Sequence, residues 1–567
     1  MTSKYAHLDK EALIRLLERR EAEQPLGLVW ERPAEAGGEL VAEAVRNRDF
    51  VALELDEGLS HGPAPWQNLI IEGDNYDALR ALRTSHKGAI RCIYIDPPYN
   101  TGNRDFVYND RFVDKSHRFR HSLWLEFMHA RLELAKELLA EDGVIFVSID
   151  DNELFRLGML MDRVFGPESK LACFVWQTDG NFDNQAKIKI AHEYVLAYSK
   201  NPDRFPMPAV VDPNIPETSK LFRSEIRNTI VKNGPKNPVS EITLPAGFPA
   251  SFDEGVIEAR SDENWPQIDS RIVVRGGKLQ ESVVVRSGWA NKGLCQAFID
   301  NGFRPVRDTK GQETKFEITP TGAIENVKLR RASHVVSVLR NMGNTQADSA
   351  LLAEMDIQFT YPKPTTLISY LVSILDDRSA TVLDFFAGSG TTAHAVAKLN
   401  AEDGGNRRFI LVSSTEATAD DPDKNLCRDV CAQRVRKVLG GYTNAKGQDV
   451  PGLGGGFVYL RTRRIPRHRL NRRLGHVETW HALQLMHGLA LDAWAGRGFV
   501  GAQQADTAIA YLPDIDATAL EKLDAWLDVW AGPRASVYSW APERLHAFAG
   551  RIDALPIPQT LADRFGR

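Results

Sequence analysis

The sequence of 567 residues is long enough for about two to four domains, at roughly 150 residues per domain. Apolar residues make up 43% and charged residues 26%, which is typical of globular proteins and excludes a largely disordered chain or a fibre. The formal net charge of −5 shows no general attraction to polyanions, so any surface for nucleic acid has to be local.

The cysteines and the apolar runs indicate the compartment. The five cysteines have no paired C-x-x-C spacing, which argues against a disulfide framework or a zinc site and fits a reducing cytoplasm. Two of them, Cys427 and Cys431, could share a helix face, where buried small apolar side chains are favoured over a metal or redox pair. No apolar run approaches the roughly 18 residues of a membrane span, so a cytoplasmic protein without a membrane partner or a metal is expected.

The first part of the chain alternates apolar strands with helical patterns. Within an arm of residues 1–50, residues 8–23 predict an amphipathic packing helix. In residues 51–200, strands are predicted at 68–72, 89–95 and 143–149, with helices between 72 and 89, at 122–140 and at 153–164. This rhythm predicts an α/β fold with a doubly wound, mostly parallel, Rossmann-like sheet. Two further strands, 174–176 and 193–198, are predicted to close the sheet edge as a hairpin.

The rhythm breaks and then returns. Residues 201–350 are rich in Pro, Gly and Asn and predict an irregular inserted domain. In residues 351–460, helices at 366–375 and 391–399 and strands at 380–383 and 408–412 are predicted to complete the same sheet. Residues 461–473 hold seven arginines and no acid, which suits a solvated surface, a phosphate backbone or an acidic partner. Residues 461–567 predict a small C-terminal α/β domain.

A glycine-rich turn, Asp384-Phe-Phe-Ala-Gly-Ser-Gly-Thr-Thr-Ala393, follows a predicted strand and opens a predicted helix. Its Gly388, Gly390 and Ala393 satisfy the pattern G-x-G-x-x-G/A, in which glycine lets the backbone approach a ligand without a Cβ clash. Such turns bind dinucleotides, nucleotides or S-adenosylmethionine. The turn alone therefore leaves the cofactor class open.

A second motif, Asp96-Pro-Pro-Tyr99, comes directly after a predicted strand, where doubly wound sheets place their ligands. The prolines Pro97 and Pro98 fix a stiff turn without N–H donors, which leaves the Pro97 carbonyl as an acceptor beside the Asp96 carboxylate. Two such acceptors suit the two hydrogens of an exocyclic amino group on a base. The Tyr99 ring can stack on that base. The alternative is a Pro-Pro turn with an Asp cap.

Together the two motifs resemble those of amino-directed, S-adenosylmethionine-dependent DNA methyltransferases. The order of catalytic motif, inserted target-recognition domain and cofactor motif is that of the β-class. The longer run Ile95-Asp-Pro-Pro-Tyr-Asn-Thr-Gly102 resembles the Mod subunits of Type III restriction-modification systems, as do residues 27–31, 148–153 and 192–198. The resemblance covers roughly residues 25–200 and 355–460, so it says nothing of the target sequence or of the role of the C-terminal segment.

The resemblance implies roles in binding S-adenosylmethionine. In the glycine-rich turn, it implies that Asp384 and Phe386 shape the turn and that Gly388 and Gly390 approach the methionine part of the cofactor. Thr391 and Thr392 would begin the helix. Outside the turn, it makes Lys363 face the methionine carboxylate, Glu416 bind the ribose and Asp74 contact the adenine. The alternatives are a solvated loop charge for Lys363 and a helix N-cap for Asp74.

The resemblance also implies the substrate. The target base has to leave the duplex at a cost of a few kcal/mol, and stacking on Tyr99 would offset part of that cost. Asp at the first position of the motif favours adenine N6 in this family. An N4-cytosine enzyme and a stand-alone adenine methyltransferase are the alternatives.

Basic and aromatic residues alternate in the segment that follows the catalytic motif. This alternation suits contacts with phosphates and an extruded nucleotide. The alternative is a charged surface loop held by a few aromatic side chains. The expected DNA contacts are Asn100, Arg104, Arg111, Lys115 and Arg118.

Other functions and partners complete the expectations. A nucleotide-dependent oxidoreductase would leave the Asp96 motif without a role, and the intact motifs argue against a silent DNA-binding subunit. The Type III resemblance implies double-stranded DNA, a homodimer and an ATP-dependent restriction subunit as partners. The sequence has no G-x-x-x-x-G-K-[ST] phosphate loop for ATP-driven work of its own. Apolar side chains of the N-terminal helix and of the C-terminal segment either supply the dimer interface or pack onto their own chain. They are Leu8, Leu13, Leu16, Leu17, Trp480, Leu483, Leu485, Trp494, Trp526 and Trp530.

Overall fold

The protein is described from a computed structural model. It describes residues 9, 10, 14, 49–102, 107–108, 111–112, 120–178, 187–208, 210–216, 218–219, 225–262, 264–309, 312–329, 334–418, 421–466, 475–492, 494 and 498–557. The contacts divide the chain into two units, one of Met1–Pro208 with Val336–Arg567 and one of Ala209–Val335. The N-terminal helix predicted at 8–23 lies largely outside the described residues.

The first unit begins with the predicted alternation of strands and helices, with bounds shifted by a few residues. The elements are β1 (Phe50–His61), β2 (Leu69–Glu72), α1 (Asn75–His86), β3 (Ile90–Ile95), β4 (Val107–Tyr108), β5 (Arg111–Phe112), α2 (Arg120–Leu138), β6 (Leu139–Ile149), α3 (Leu154–Phe165), a 3-10 turn (Pro167–Ser169), β7 (Lys170–Gln177) and β8 (His192–Ser199).

The second unit is mostly antiparallel. Its elements are β9 (Glu225–Thr229), β10 (Ser240–Leu244), β11 (Gly255–Ile257), β12 (Gln267–Ile268), β13 (Ile272–Arg275), β14 (Lys278–Leu279), β15 (Val283–Ser287), α4 (Lys292–Asp300), β16 (Val306–Arg307), β17 (Glu313–Ile318) and β18 (Ile324–Leu329). These strands form small sheets in the orders β10-β15-β12, β11-β13-β14 and β16-β17-β18-β9. The unit has its own apolar core, which includes Phe248, Phe298 and Phe316.

The first unit then resumes. Its further elements are β19 (Val338–Leu339), α5 (Thr345–Glu354), α6 (Thr365–Ser373), β20 (Thr381–Asp384), α7 (Thr391–Asp403), β21 (Arg408–Ser413), a π-helical turn (Cys427–Cys431), α8 (Ala432–Gly440), β22 (Gly441–Thr443), β23 (Asp449–Pro451), β24 (Phe457–Ile465), α9 (His476–Met486), β25 (Val500–Gln504), β26 (Thr507–Leu512), α10 (Ala517–Asp528), β27 (Ala535–Ser539), a 3-10 turn (Pro542–Phe548) and β28 (Ile552–Pro556).

The main sheet has the order β1-β24-β2-β21-β20-β3-β6-β8-β7-β19. Neighbouring strands from β24 to β6 are parallel, whereas β1 and β8 pair antiparallel with β24 and β6. Residues of the central strands, such as Ile93 and Val382, are fully buried, which explains their continuous apolar runs. The prediction of a mostly parallel α/β sheet is confirmed. The expected pairing of β7 with β8 is also present, but β19 lies outside β7 and forms the edge.

Two predicted boundaries differ from the structure. The inserted unit is shorter than 201–350, and the boundary at 461 falls inside β24, which pairs with β1 up to Ile465. The helix α9 packs into the main core through Trp480 and Leu483, and Leu485 is buried as well, so these side chains are not available for a dimer interface. In the C-terminal segment, the sheet β25-β26-β27-β28 and helix α10 share a separate apolar core.

Candidate active site

The two sequence motifs lie side by side at one edge of the main sheet. Asp96 directly follows β3, and Asp384 is the last residue of β20. These strands are parallel neighbours, with Leu383 opposite Ile93, so their carboxyl ends meet at the same edge. The order of the strands in the sheet changes direction between these two strands. In doubly wound sheets, ligands bind at such a point, outside the carboxyl ends of the strands.

The turn after β3 is held rigidly. Trp124 of α2 is fully buried and donates its indole N–H to the Pro98 carbonyl at 2.7 Å. The adjoining Pro97 is also buried. The prolines fix the backbone dihedral angles of the turn, and Trp124 fixes its position against the helix. The backbone that carries the Asp96 side chain is therefore held in one position.

Asp96 has a buried acceptor atom. Its side chain is 27% exposed, but the Oδ1 atom is buried and receives no well-aligned hydrogen bond from the described residues. The nearest cation is Lys363 Nζ at 3.2 Å. Burial raises the pKa of Asp96, Lys363 opposes that rise and Glu193 adds to it. A buried carboxylate oxygen whose nearest donor is a poorly aligned ammonium at 3.2 Å is suited to accept an N–H from a substrate once that ammonium shifts towards its other partner.

Lys363 lies between two carboxylates. Its ammonium is 3.0 Å from Glu193 Oε2 and 4.8 Å from the centre of the Tyr99 ring. Its side chain is only 12% exposed. Burial lowers the pKa of Lys363, but Asp96 and Glu193 outweigh this effect and hold the pKa at about 12. The structure thus places Lys363 against the catalytic motif, in addition to any role towards a methionine carboxylate.

The glycine-rich turn is closed by Asp384. Its Oδ1 accepts a hydrogen bond from the Phe386 backbone N–H at 3.0 Å, and its Oδ2 accepts one from the Thr392 hydroxyl at 2.5 Å. Asp384 therefore joins the start of the turn to the first turn of helix α7. Thr392 is fully buried in this interaction, so its role here is structural.

A buried arginine supports the other side of the same turn. Arg434 of α8 is fully buried and donates to Thr391 Oγ1 at 2.7 Å and to Ser389 Oγ at 3.1 Å. Its other terminal nitrogen donates to Thr365 Oγ1 at 3.0 Å and to Asp348 Oδ1 at 3.2 Å. Arg434 thereby ties the glycine-rich turn to the start of α6, two residues after Lys363. No local sequence pattern marks Arg434 for this role.

The two glycines of the turn have different surroundings. Both have positive φ, +50° at Gly388 and +77° at Gly390. A Cβ at Gly388 would meet nothing nearer than Phe359 Cζ and the Phe386 carbonyl, both at 3.8 Å, whereas a Cβ at Gly390 would lie 3.2 Å from the Cys431 carbonyl and thiol. The open backbone face of the turn is therefore at Gly388. Gly390 permits close packing against the π-helical turn, and Cys431 is a buried packing residue, as favoured from the sequence.

The pH dependence of stability should report on Asp384. Burial raises the pKa of Asp384 to about 7, from an ordinary value of 3.8. Between these values the unfolded chain has lost the proton that the folded protein retains, so the free energy of unfolding falls as pH rises from about 4 to about 7. Asp384→Asn should remove this fall, which is on the order of a few kcal/mol.

Urea unfolding of both proteins at several pH values measures the effect. We expect the two stability curves to diverge across this window and to run parallel above it, where the carboxyl is ionised in both states. Curves that stay parallel from pH 4 to 7 would show that Asp384 is ionised throughout in the folded protein.

Two of the acids expected to bind the cofactor have partners within the chain. Asp74 is the N-cap of α1, accepting from the Tyr76 N–H at 2.9 Å, and it also lies 3.3 Å from Arg131 Nη2. Glu416 is half exposed and pairs with Lys424 at 2.9 Å. The capping alternative for Asp74 is therefore present in the structure. The cofactor contacts of both acids stay predictions.

Asn100 differs from the DNA contact that was expected. It is fully buried, with φ of +56°, and its amide donates to Glu153 Oε1 at 2.6 Å. Glu153 is also fully buried and lies 2.5 Å from His121 Nδ1. Asn100 thus anchors the end of the catalytic turn instead of facing solvent. Three expected contacts, Arg104, Lys115 and Arg118, and the side chain of Arg111 lie outside the described residues.

The arginine run is partly neutralised by acids of its own chain. Arg461 pairs with Asp56 at 2.9 Å, and Arg464 pairs with Asp77 at 2.5 Å. Arg463 pairs with Glu54 and Glu478. These three arginines belong to β24, and the other four of the run lie outside the described residues. The described arginines of the run therefore form ion pairs that connect β24 to neighbouring elements of the fold.

The sequence profile of the N6_N4_Mtase family, described as DNA methylase, matches residues 90–417, which include both motifs and more than half of the chain. The chain belongs to this DNA methylase family. Within the described residues of the methylase, no helix is long and apolar enough to cross a membrane.

The methylase is similar to several characterised proteins. It is 33% identical over 385 residues to the Mod subunit of the Type III restriction-modification enzyme EcoPI of Escherichia phage P1, covering 62% of this chain and 58% of that protein. It is 30% identical over 408 residues to the StyLTI Mod subunit of Salmonella typhimurium, covering 65% and 57%. The Type II methyltransferase M.KpnI of Klebsiella pneumoniae is 28% identical over 357 residues, covering 60% and 79%. The match thus spans less than two thirds of each Mod subunit.

Among solved structures, the methylase aligns with the cytosine-N4-specific PvuII DNA methyltransferase at 11% identity and a TM-score of 0.32, covering 65% of this chain and 86% of that one. This superposition is loose. The fold assignment rests on the strand order and registers described above.

Proposed function

We propose that this methylase transfers a methyl group from S-adenosylmethionine to the exocyclic N6 of an adenine extruded from duplex DNA, as the modification subunit of a Type III-like restriction-modification system. The observation that carries the proposal is the buried Oδ1 of Asp96, beside the glycine-rich turn, on a motif fixed by Trp124. The similarity to Mod subunits supports the Type III system.

The residues present suit S-adenosylmethionine. The open backbone face at Gly388 would accept its methionine part, and Asp384 and Arg434 keep the turn in that shape. Glu416, exposed after β21, remains our choice for the ribose. When bound, the cofactor supplies an electrophilic methyl group and leaves as S-adenosylhomocysteine when the S–CH3 bond breaks. The amine that receives the methyl group belongs to the target base, and the other half of the site has to hold it in place.

The catalytic turn supplies the acceptors for that amine. In this mechanism Asp96 Oδ1 accepts one N–H and the Pro97 carbonyl, on the same turn, accepts the other, which directs the nitrogen lone pair away from both. The amine nitrogen becomes positively charged on methylation and then loses one proton, which the Asp96 carboxylate accepts in this mechanism. Tyr99 can stack on the base, which offsets part of the cost of extrusion.

Incubation with tritiated S-adenosylmethionine and duplex DNA, followed by nucleoside analysis, tests the proposal. We expect the label in N6-methyladenine. Label in N4-methylcytosine would contradict the choice of base, and no label with a range of duplexes would contradict catalysis. The same assay on a genomic template, analysed base by base, gives the recognition sequence.

The inserted unit is proposed to recognise the DNA sequence, because it holds neither chemical motif and folds around its own core. Exchanging residues 209–335 with the corresponding unit of a related methylase should change the methylated site and leave the methylated base unchanged. Methylated sites mapped on genomic DNA check the outcome. An active chimaera that keeps the original site would place recognition elsewhere.

The partners are proposed from the relatives. We expect a homodimer that works with a separate ATP-dependent restriction subunit, since the chain has no phosphate loop of the G-x-x-x-x-G-K-[ST] type. Light scattering with and without duplex DNA tests the dimer, and the mass of a single chain under both conditions would contradict it. Co-purification of a helicase-type protein from the native source tests the second partner.

A further inference from the structure

Glu193 reaches the active site because its strand runs against the others. β8 is antiparallel to β6, and Tyr194 of β8 lies opposite Ile149, the last residue of β6. The first residues of β8 are therefore at the edge where β3 and β6 end. Glu193 is the second residue of β8 and lies opposite Trp176 of β7. This topology brings the carboxylate of Glu193, in the segment 192–198 that resembles the Mod subunits, to the catalytic edge.

Glu193 contacts two residues of the site through one oxygen. Its Oε2 accepts a hydrogen bond from the Tyr99 hydroxyl at 2.9 Å and lies 3.0 Å from Lys363 Nζ. The same Lys363 nitrogen is 3.2 Å from Asp96 Oδ1. It also lies 4.8 Å from the centre of the Tyr99 ring and 6.0 Å from that of Trp176. Glu193 thus joins the stacking ring and the ammonium that contacts the catalytic carboxylate.

The charges explain why a second carboxylate is needed. One ammonium facing Asp96 alone would be free to form a close pair with it and to occupy the acceptor that the amine requires. Glu193 shares that ammonium and holds it at a comparable distance from both carboxylates. The Tyr99 hydroxyl bond also fixes the tilt of the ring on which the base is proposed to stack.

We propose that Glu193 is a positioning residue for methyl transfer, which holds Lys363 and Tyr99 so that Asp96 Oδ1 stays available to the target amine. This inference rests on the proposed function. It assigns to Glu193 a larger effect on turnover than on cofactor binding, because Glu193 bonds Tyr99 and shares the Lys363 ammonium with Asp96, and its contact with Lys363 is its one link to the expected cofactor site.

The decisive variant is Glu193→Gln, which retains the shape and an oxygen acceptor but removes the charge. We expect kcat to fall about tenfold to hundredfold, as for a small misplacement of catalytic groups, with KM for S-adenosylmethionine within about threefold of the native value. The matched control is Glu168→Gln, an exposed glutamate just before β7, at the opposite edge of the sheet. The control should leave kcat, KM and the melting temperature unchanged.

The pH profile separates positioning from general stability. Asp96 faces Lys363, Glu193, Tyr99, Tyr94 and Asp384. Among these, the charge of Glu193 raises the pKa of Asp96, so its removal should move the acid limb of kcat to lower pH. A kcat within about twofold of native would overturn the inference, and so would a lower kcat whose acid limb does not move.

A double-mutant cycle gives a readout that does not need activity. Tyr99→Phe removes the hydroxyl that donates to Glu193. The melting temperature of the double variant should therefore fall by less than the sum of the falls in Tyr99→Phe and Glu193→Gln. Additive losses would overturn the inference. If Glu193→Gln does not fold, Tyr99→Phe alone should lower kcat at least about threefold, and native kcat would overturn the inference. Native protein without any methyl transfer contradicts the proposed function instead.

Discussion

Replacing Asp96 by alanine is expected to abolish methyl transfer while leaving the affinity for S-adenosylmethionine close to native. In the proposed mechanism the carboxylate accepts an N–H and orients the amine, and it interacts with the glycine-rich turn only through charge. Loss of a group that orients and deprotonates the reacting nitrogen should lower turnover about 10²-fold to 10⁴-fold. Labelled methyl transfer to duplex DNA measures turnover, and calorimetry measures cofactor affinity.

Asp514→Ala is a suitable control, because Asp514 is an exposed aspartate in the C-terminal segment. It should be indistinguishable from the native protein in both measurements. If Asp96→Ala retains more than about a tenth of native turnover, Asp96 is not the acceptor of the amine. A parallel loss of cofactor affinity would instead show that the variant disturbs both halves of the site.

The two glycines of the cofactor turn should respond differently to valine. At Gly388, valine would fill the open backbone face, so we expect S-adenosylmethionine to bind at least about tenfold more weakly, or about 1.4 kcal/mol. The positive φ adds a loss of stability of about 1–3 kcal/mol. At Gly390, valine would meet the same strain and also press on Cys431 and Val435, adding about 1–3 kcal/mol more.

Urea unfolding and calorimetry on both variants test this contrast. Gly390→Val should have the lower free energy of unfolding. Gly388→Val should lose more binding free energy for S-adenosylmethionine relative to the unfolding free energy that it loses. Native affinity in Gly388→Val would contradict the placement of the cofactor at this turn. Equal stability of the two variants would contradict the close packing of Gly390 on the π-helical turn.

The strands of the catalytic half and both motifs could be predicted from the sequence. The runs before Asp96 and Asp384 are apolar on both faces, as in a parallel sheet covered by helices, and the turn chemistry that follows each is local. The end of a strand and the start of a helix are therefore visible within a few residues. The family resemblance then depended on the same short segments.

Contacts between distant segments could not be predicted in this way. Nothing in the sequence near Glu193 or Arg434 indicates that the one meets Lys363 and the other meets Thr391. Such contacts depend on strand direction and helix packing. For the same reason the sequence does not show that Gly390 packs on Cys431 or that Asn100 is buried against Glu153, and the approach of Gly390 to the cofactor stays a prediction. The direction of β8 was the available signal for Glu193, since its predicted antiparallel pairing places its first residues at the catalytic edge.

The order of strands in the main sheet also determines when the site can form during synthesis. β2 lies between β24 and β21, and β3 lies between β20 and β6, so both neighbours of β2 and one neighbour of β3 emerge from the ribosome only after the whole of residues 209–335. The inserted unit is contiguous and has all its described strands once β18 has emerged. Pairings of such long sequence separation form slowly. The inserted unit is therefore expected to fold first on the nascent chain, while apolar β2 and the β20 side of β3 stay unpaired and depend on protection from aggregation.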